Sequence, residues 1–407
     1  MMNGNNKLFR SRNVIRFLLC FFLPAAMLLY ERIRLGAIGN LTADAELYLS
    51  VADNFLNTGH FIQCIRWFPG FVVPPGMPLI LLILRLLKFS VPMIIGFQAC
   101  MFGMSCLLLE ETEHRLFQRY GIAPVIYLLG YMRCRLLLGN ILVEHYYLFL
   151  LCLLIWLVLG SNLRRKLLWM NITGLLLLMT RPALSPVYVI ILSYTAVVCV
   201  REKRIASLAG AFLLPIVCLS VNLTVNYRET GEFILLESYS GADLYITASP
   251  NAPITVKEGL RFYDETREKI YYAPDMTMSE KSKALNELSK QYIREHPGEY
   301  LKKTALRCVE LFLKSYSYTT LFALAGAVLM IWTRKNFKER QRHMILLGIN
   351  FFLALETSFG IPEVRYTAVI LPLAVIHGSA FLLMMTDLLM MKSGEKNGQS
   401  CGTDSML

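Results

Sequence analysis

Four short stretches of the 407-residue chain set charged residues in apolar surroundings in ways that could support chemistry. In Thr42-Ala43-Asp44-Ala45-Glu46-Leu47-Tyr48, a helix capped by Thr42 would hold Asp44 in its first turn, where the helix dipole favours a carboxylate. Tyr48 would follow four residues on, on the same face. Ordinary helix-start chemistry needs the same residues. Glu144, in Gly139-Asn140-Ile141-Leu142-Val143-Glu144-His145-Tyr146-Tyr147, opens a long apolar run. An ionisable group costs about 2.5–3.5 kcal/mol at the centre of a membrane span and less near its end, so Glu144 is either functional or a solvated helix start. Arg181 stands between two apolar runs and precedes Pro182. Its planar fork suits a pair of phosphate oxygens better than lysine would, the alternative being a snorkelling arginine. Pro362-Glu363-Val364-Arg365-Tyr366 is a charged island between the last two runs, where Glu363 and Arg365 either pair with each other or face a ligand.

Two acids and two arginines on one side of a membrane limit the chemistry. No Gly-rich phosphate loop, no Ser/His/Asp pattern and no cytoplasmic segment large enough for a nucleotide-binding fold is present. A nucleotide-sugar donor is therefore not expected, whereas a lipid-linked donor can enter sideways from the bilayer. An acid would act as general base on an acceptor hydroxyl or amine that attacks the anomeric carbon of the bound sugar. Arginine would stabilise charge on the departing lipid phosphate. One such displacement inverts the anomeric configuration.

The elements that must position these residues follow from composition. Hydrophobic residues make up 55% and charged residues 17%, against about a quarter charged in soluble domains. Lys and Arg exceed Asp and Glu by 12, an excess expected in cytoplasmic loops of a multi-pass membrane protein rather than at a nucleic-acid surface. Ten cysteines, mostly inside apolar runs, show neither CxxC nor zinc-like Cys/His spacing.

The expected organisation is a cytoplasmic N-terminus with an uncleaved first span (1–35), then a first outer loop (36–90) with an amphipathic stretch from Thr42 to Asn57. A half-embedded helix from Pro75 to Lys88 completes that loop. A six-span core (91–225), an extracytoplasmic domain (226–305), three further spans (306–391) and a cytoplasmic tail (392–407) follow. Segment 226–305 carries 11 Lys/Arg and 13 Asp/Glu, a net of −2, which leaves +14 on the rest. That asymmetry places it outside. Within it, Phe233–Leu236 and Leu244–Ile246 suggest short strands, and Ser279–Glu295 a helix ended by His296-Pro297-Gly298. The fold expected is mainly α: a polytopic helical membrane protein of about ten spans with a small α+β extracytoplasmic domain.

This order of motifs resembles the GT-C superfamily of polytopic glycosyltransferases. Relatives there include the dolichyl-phosphate-mannose protein mannosyltransferases and the bacterial enzyme that adds aminoarabinose to lipid A. "ADAELYLSVADNFLNTGHF" looks like the family's first outer loop and "PPGMPLILLI" like its proline-led membrane-surface helix. "LLLLMTRP" matches the helix that ends in a basic residue. "NYRETGEFILLESYSGADLYITASPNA" looks like the opening of the large outer loop, and "EVRYTAVILPL" like the Arg-Tyr motif opening a late span. The resemblance implies a catalytic base at Asp44, with Glu46 the alternative because many members have adjacent Asp-Glu and here Ala45 intervenes. It implies a second acid at Glu144, supported by Tyr48 and His145, and donor-phosphate contacts from Arg181, Arg365 and Tyr366. The implied partners are a polyprenyl-phosphate-linked sugar, an extracytoplasmic protein, lipid or glycan acceptor, and membrane lipids, with no nucleic acid. No cofactor is required. Some relatives bind a divalent cation and others do not, which leaves the metal unknown. Localisation would be the cell membrane, with both termini cytoplasmic. The competing readings are a transporter or flippase of lipid-linked sugars, and a non-catalytic membrane scaffold.

Overall fold

The structure is a computed structural model, and it describes residues 14–36, 41–61, 72–118, 122–133, 141–160, 163–255, 258, 276–314, 317–333, 337–359 and 368–399. Its helices run α1 (Val14–Arg34, with a π turn at Leu18–Phe22), α2 (Ala43–Thr58), α3 (Gly76–Leu86), α4 (Val91–Phe117) and α5 (Ile122–Arg133). Then come α6 (Glu144–Leu159), α7 (Leu163–Thr180), α8 (Ser185–Arg201), α9 (Ile205–Thr230) and α10 (Ser240–Thr247). Last are α11 (Met278–Glu295), α12 (Pro297–Cys308), α13 (Ser317–Thr333), α14 (Phe337–Phe359) and α15 (Leu371–Gln399). The fold is mainly α. Among the described residues five helices are long and apolar enough to cross a membrane: Val14–Arg34, Val91–Phe117, Pro182–Arg201, Ile205–Thr230 and Ala368–Asp387.

The bundle is built around α6, which packs against α4, α7, α14 and α15. The consecutive residues Leu150, Leu151 and Cys152, and again Leu157, Val158 and Leu159, step round α6 by about 100° each, yet all are buried. A helix enclosed on every side can be apolar on every side. At the end of the bundle away from Glu144, charges are consumed by structure. Arg16 pairs with Glu110 and Glu111. The buried Glu113 carboxylate accepts the amides of Ile122 and Ala123 at 3.1 Å, satisfying donors that the start of α5 leaves open.

The polar segment differs from the sequence expectation. Among the described residues there is no strand. Phe233–Leu236 is irregular because its carbonyls are already occupied: Asn226 Nδ2 donates to Ile234 O at 2.8 Å and Asn222 Nδ2 to Leu235 O at 2.5 Å, both from α9. Leu244–Ile246 lies inside α10, where Ala242 and Ile246, four residues apart, bury one face against Val51, Val73 and Met278. Thr42 stands at the N-cap position of α2 but makes no side-chain cap. The reciprocal cap occurs instead at α11, between Thr277 and Glu280. That helix ends at Glu295, ahead of Pro297 as expected.

Candidate functional site

Arg181 owes its position to Pro182. A residue before proline is pushed out of helical geometry, so α7 stops at Thr180 and Arg181 turns to φ −149°, ψ 109°. Its guanidinium lies over the Tyr147 ring, 5.6 Å from the centroid. Tyr147 is three residues after Glu144, on the same side of α6. Glu144 is 1% exposed, and its Oε2 has no hydrogen-bond partner among the described residues. A buried polar atom left in that state costs about 1–3 kcal/mol, which is strain held at this point of the fold.

The first loop joins the site through a short bridge. The Val72 N–H donates to Ser238 Oγ at 2.9 Å, and the Ser238 N–H returns to Val72 O at 3.1 Å. Four residues further on, Gly76 sits so close to α7 that a Cβ added there would lie 2.8 Å from the Thr180 backbone. Glu237 immediately precedes Ser238 and Arg181 immediately follows Thr180, so residues 72–76 draw the two together. Gly76→Ala is expected to lower the thermal unfolding midpoint, at a cost of about 1–3 kcal/mol for forcing an extra carbon into close packing. An unchanged midpoint would show that this approach is looser than described.

Glu237 is the electrostatic centre of the arrangement. Burial pushes its carboxyl from the usual glutamate range up to about 7, the Tyr239 hydroxyl and Arg181 partly oppose that shift, and Glu356 of α14 adds to it. Burial also raises Tyr239, with the charges of Glu237, Tyr48 and Asp243 adding to the effect. Tyr48 and Tyr239 share the small core formed by Val51, Val73, Ala242, Ile246 and Met278. Asp44, half-buried, lies one turn before Tyr48 on α2. Glu46, two residues on and so on another face of the helix, is exposed.

The structure thus gathers Arg181, Tyr48 and the Glu144–Tyr147 face of α6, and adds Glu237 and Glu356. His145 turns to a different face, where it forms a short hydrogen bond with Tyr131 of α5. Behind it the fully buried Arg32 lies near the Ile95 carbonyl, 3.4 Å away, and faces Tyr131 and Tyr146. Arg365 and Tyr366, with Glu363, lie outside the described residues. Among the described residues no three His, Cys, Asp or Glu side chains are grouped so as to hold a metal.

Two of these residues carried a signal in the sequence. Glu356 interrupts the apolar run Phe351–Phe359, and an ionisable residue inside such a run marks a functional candidate by default. Arg32 follows the first apolar run, where the expected cytoplasmic N-terminus would leave few basic residues. Glu237 gave less, since its neighbours are those of any polar loop.

Chemically, one guanidinium stands among carboxylates, one of which exchanges its proton near neutral pH. When Glu237 is protonated, the positive charge of Arg181 is less offset by its surroundings. No protein-family profile and no curated protein sequence matches the chain.

Proposed function

We propose that this chain is an integral-membrane glycosyltransferase that moves a sugar from a polyprenyl-phosphate carrier to an extracytoplasmic acceptor, with inversion. In this reading the helices make ten spans with both termini cytoplasmic, and α3, 11 residues long, lies half-embedded at the outer surface rather than crossing a core of about 30 Å. The polar segment and the Glu144 end of the bundle face outward. Asp44 takes the proton of the acceptor hydroxyl or amine as that atom attacks the anomeric carbon. The bond from that carbon to the phosphate oxygen breaks, and polyprenyl phosphate leaves with its charge held by Arg181 and Arg365. Tyr366 belongs to the same donor contact, Glu144 is the second acid, and Tyr48 and His145 position their neighbours. Glu46 stays the alternative base, although its exposure favours Asp44.

The observation that carries this reading is the convergence of Arg181 with the half-buried carboxylates Glu237 and Glu356, at the end of an apolar bundle where a lipid phosphate can arrive from the side. Such a site needs no nucleotide-binding domain. Activity is argued from the site, because a helical membrane fold alone fixes no function.

Purified full-length chain in lipid nanodiscs, given radiolabelled polyprenyl-phosphate sugars and a mixed envelope-lipid and glycan acceptor pool, is expected to release sugar from the carrier. Asp44→Asn is expected to lower that turnover by about 100-fold or more, the scale of a lost general base. Equal turnover by parent and variant would remove Asp44 from the role. Movement of intact lipid-linked sugar between leaflets, without cleavage, would replace the reading with that of a flippase.

A further inference from the structure

At the end of the bundle away from Glu144, three helices bring cations together around one tryptophan. Trp156 lies in the last turn of α6. Lys166 Nζ of α7 stands 4.1 Å from the centroid of its ring, and Arg115 Cζ of α4 stands 4.8 Å from it. A Cβ added at Gly160 would collide with the Lys166 amine, so the glycine leaves that cation its place. Lys166 is held below the usual lysine range, first by burial and then by the charges of Arg115 and Arg342, with Glu111 opposing in part. Glu111 is itself shared by Arg16 and Arg115. An aromatic face attracts each cation without cancelling its charge, so the cations of α4, α7 and α14 crowd one another.

Arg342 joins this cluster to an apolar groove. Its neighbour Gln341 and Ile345, one turn on, line the groove from α14, and Val189, Ser193, Tyr194 and Val197 line it from α8. The α8 positions recur at three- and four-residue steps and so form one stripe along the helix. The groove holds about 330 Å³, at the lower end of the range for small-molecule sites. Val189 and Val197 are 59% and 43% exposed, so it opens away from the bundle, along a helix apolar and long enough to cross a membrane. The Tyr194 hydroxyl feels the charges of Arg342 and Glu202, which sets the groove beside the cations. Glu202 in turn faces Arg204 at 3.9 Å. An apolar stripe that ends in crowded cations complements a molecule with a hydrocarbon chain and a phosphate. Basic pockets between membrane helices suit anionic headgroups, and the arginine fork matches a pair of phosphate oxygens. A zwitterionic headgroup would add its own cation to the crowd. We infer that Lys166 and Arg342, with Arg115 beside them, hold the phosphate of an anionic diacyl phospholipid, one of whose acyl chains lies in the groove between α8 and α14. This site is at the opposite end of the bundle from Arg181 and does not depend on sugar transfer.

The test uses full-length protein, purified and delipidated, titrated by native mass spectrometry with palmitoyl-oleoyl phosphatidylglycerol and with the phosphatidylcholine of the same chains. The parent is expected to bind phosphatidylglycerol about 10-fold more tightly or better. Lys166→Gln and Arg342→Gln should each weaken phosphatidylglycerol about 5-fold, the scale of one cation near an anionic headgroup, and leave phosphatidylcholine unchanged. Lys203→Gln, which removes an exposed cation from the α8–α9 turn, should bind as the parent does. Val197→Trp, which fills the groove, should weaken both lipids alike. Equal affinity of the parent for the two lipids overturns the site without any variant having to fold. Displacement by millimolar inorganic phosphate at constant ionic strength would mark a free-anion site and overturn it too, as would unchanged binding in the glutamine pair or in the tryptophan variant. A dimer that phosphatidylglycerol does not dissociate would give the groove to a second copy of this chain instead.

Discussion

Arg181→Met is expected to cut sugar transfer by about 100- to 1,000-fold, the scale found when one preorganised donor to a developing oxyanion is removed. The loss should appear mainly in kcat, because in the proposed reaction the negative charge that Arg181 meets grows as the phosphate leaves. Arg181→Lys keeps the cation but not the fork, so it should fall between parent and methionine. Removing the cation has a second consequence. Arg181 favours the charged form of Glu237 against burial and against Glu356, so its loss sets two carboxylates against each other. The methionine variant should therefore also lose stability at neutral pH. Adding Glu237→Gln should restore the unfolding midpoint but not the transfer. Recovery of transfer along with stability would show that Arg181 is structural and would withdraw it from the donor site.

Which parts of this arrangement the sequence announces depends on the range of the interaction that builds them. Pro182 acts on its immediate neighbour, so the end of α7 and the release of Arg181 could be read directly. The apolar run of α6 and the Pro-led start of α3 are equally local, and both helices lie where periodicity puts them. The Phe233–Leu236 run could not be read this way. Its β-prone composition is overridden by Asn222 and Asn226, which take its carbonyls from the preceding helix. Nor does Leu244–Ile246 reveal its helix without α2 and α11, whose side chains complete the face it buries. Thr42 shows the opposite error, a good capping residue at the right place whose hydroxyl does not cap.

For the site, the sequence supplied the anchors and missed the couplings. Arg181 and Glu144 stand out because a charge beside an apolar run is conspicuous by itself. Glu237 becomes informative only when Val72 pairs with Ser238 and Gly76 meets Thr180, contacts that join residues far apart in the chain. The same contacts change what Arg181 is. Alone it is a cation at a helix end; with Glu237 and Glu356 in its surroundings it is a cation whose local charge balance depends on a proton.

That dependence gives the second large effect, carried by Glu237→Gln. Below about pH 4.5 the carboxyl is protonated in both folded and unfolded chains, so its burial adds no charge-related cost. Between about 4.5 and about 7 the unfolded chain gives up its proton first, and the folded state binds more protons than the unfolded one. Stability must then fall as pH rises through this window and level off above it. The full drop is on the order of 3 kcal/mol, taking 1.36 kcal/mol for each unit. Glutamine at 237 carries no charge at any pH and escapes the penalty. The variant should unfold with the parent near pH 4.5 and at a progressively higher temperature than the parent up to pH 8, in nanodiscs at constant ionic strength. If the difference in midpoint stays flat across that range, Glu237 is ionised in the fold throughout. The proton switch at Arg181 would then be lost, and Arg181 would have to hold a phosphate against a permanent carboxylate.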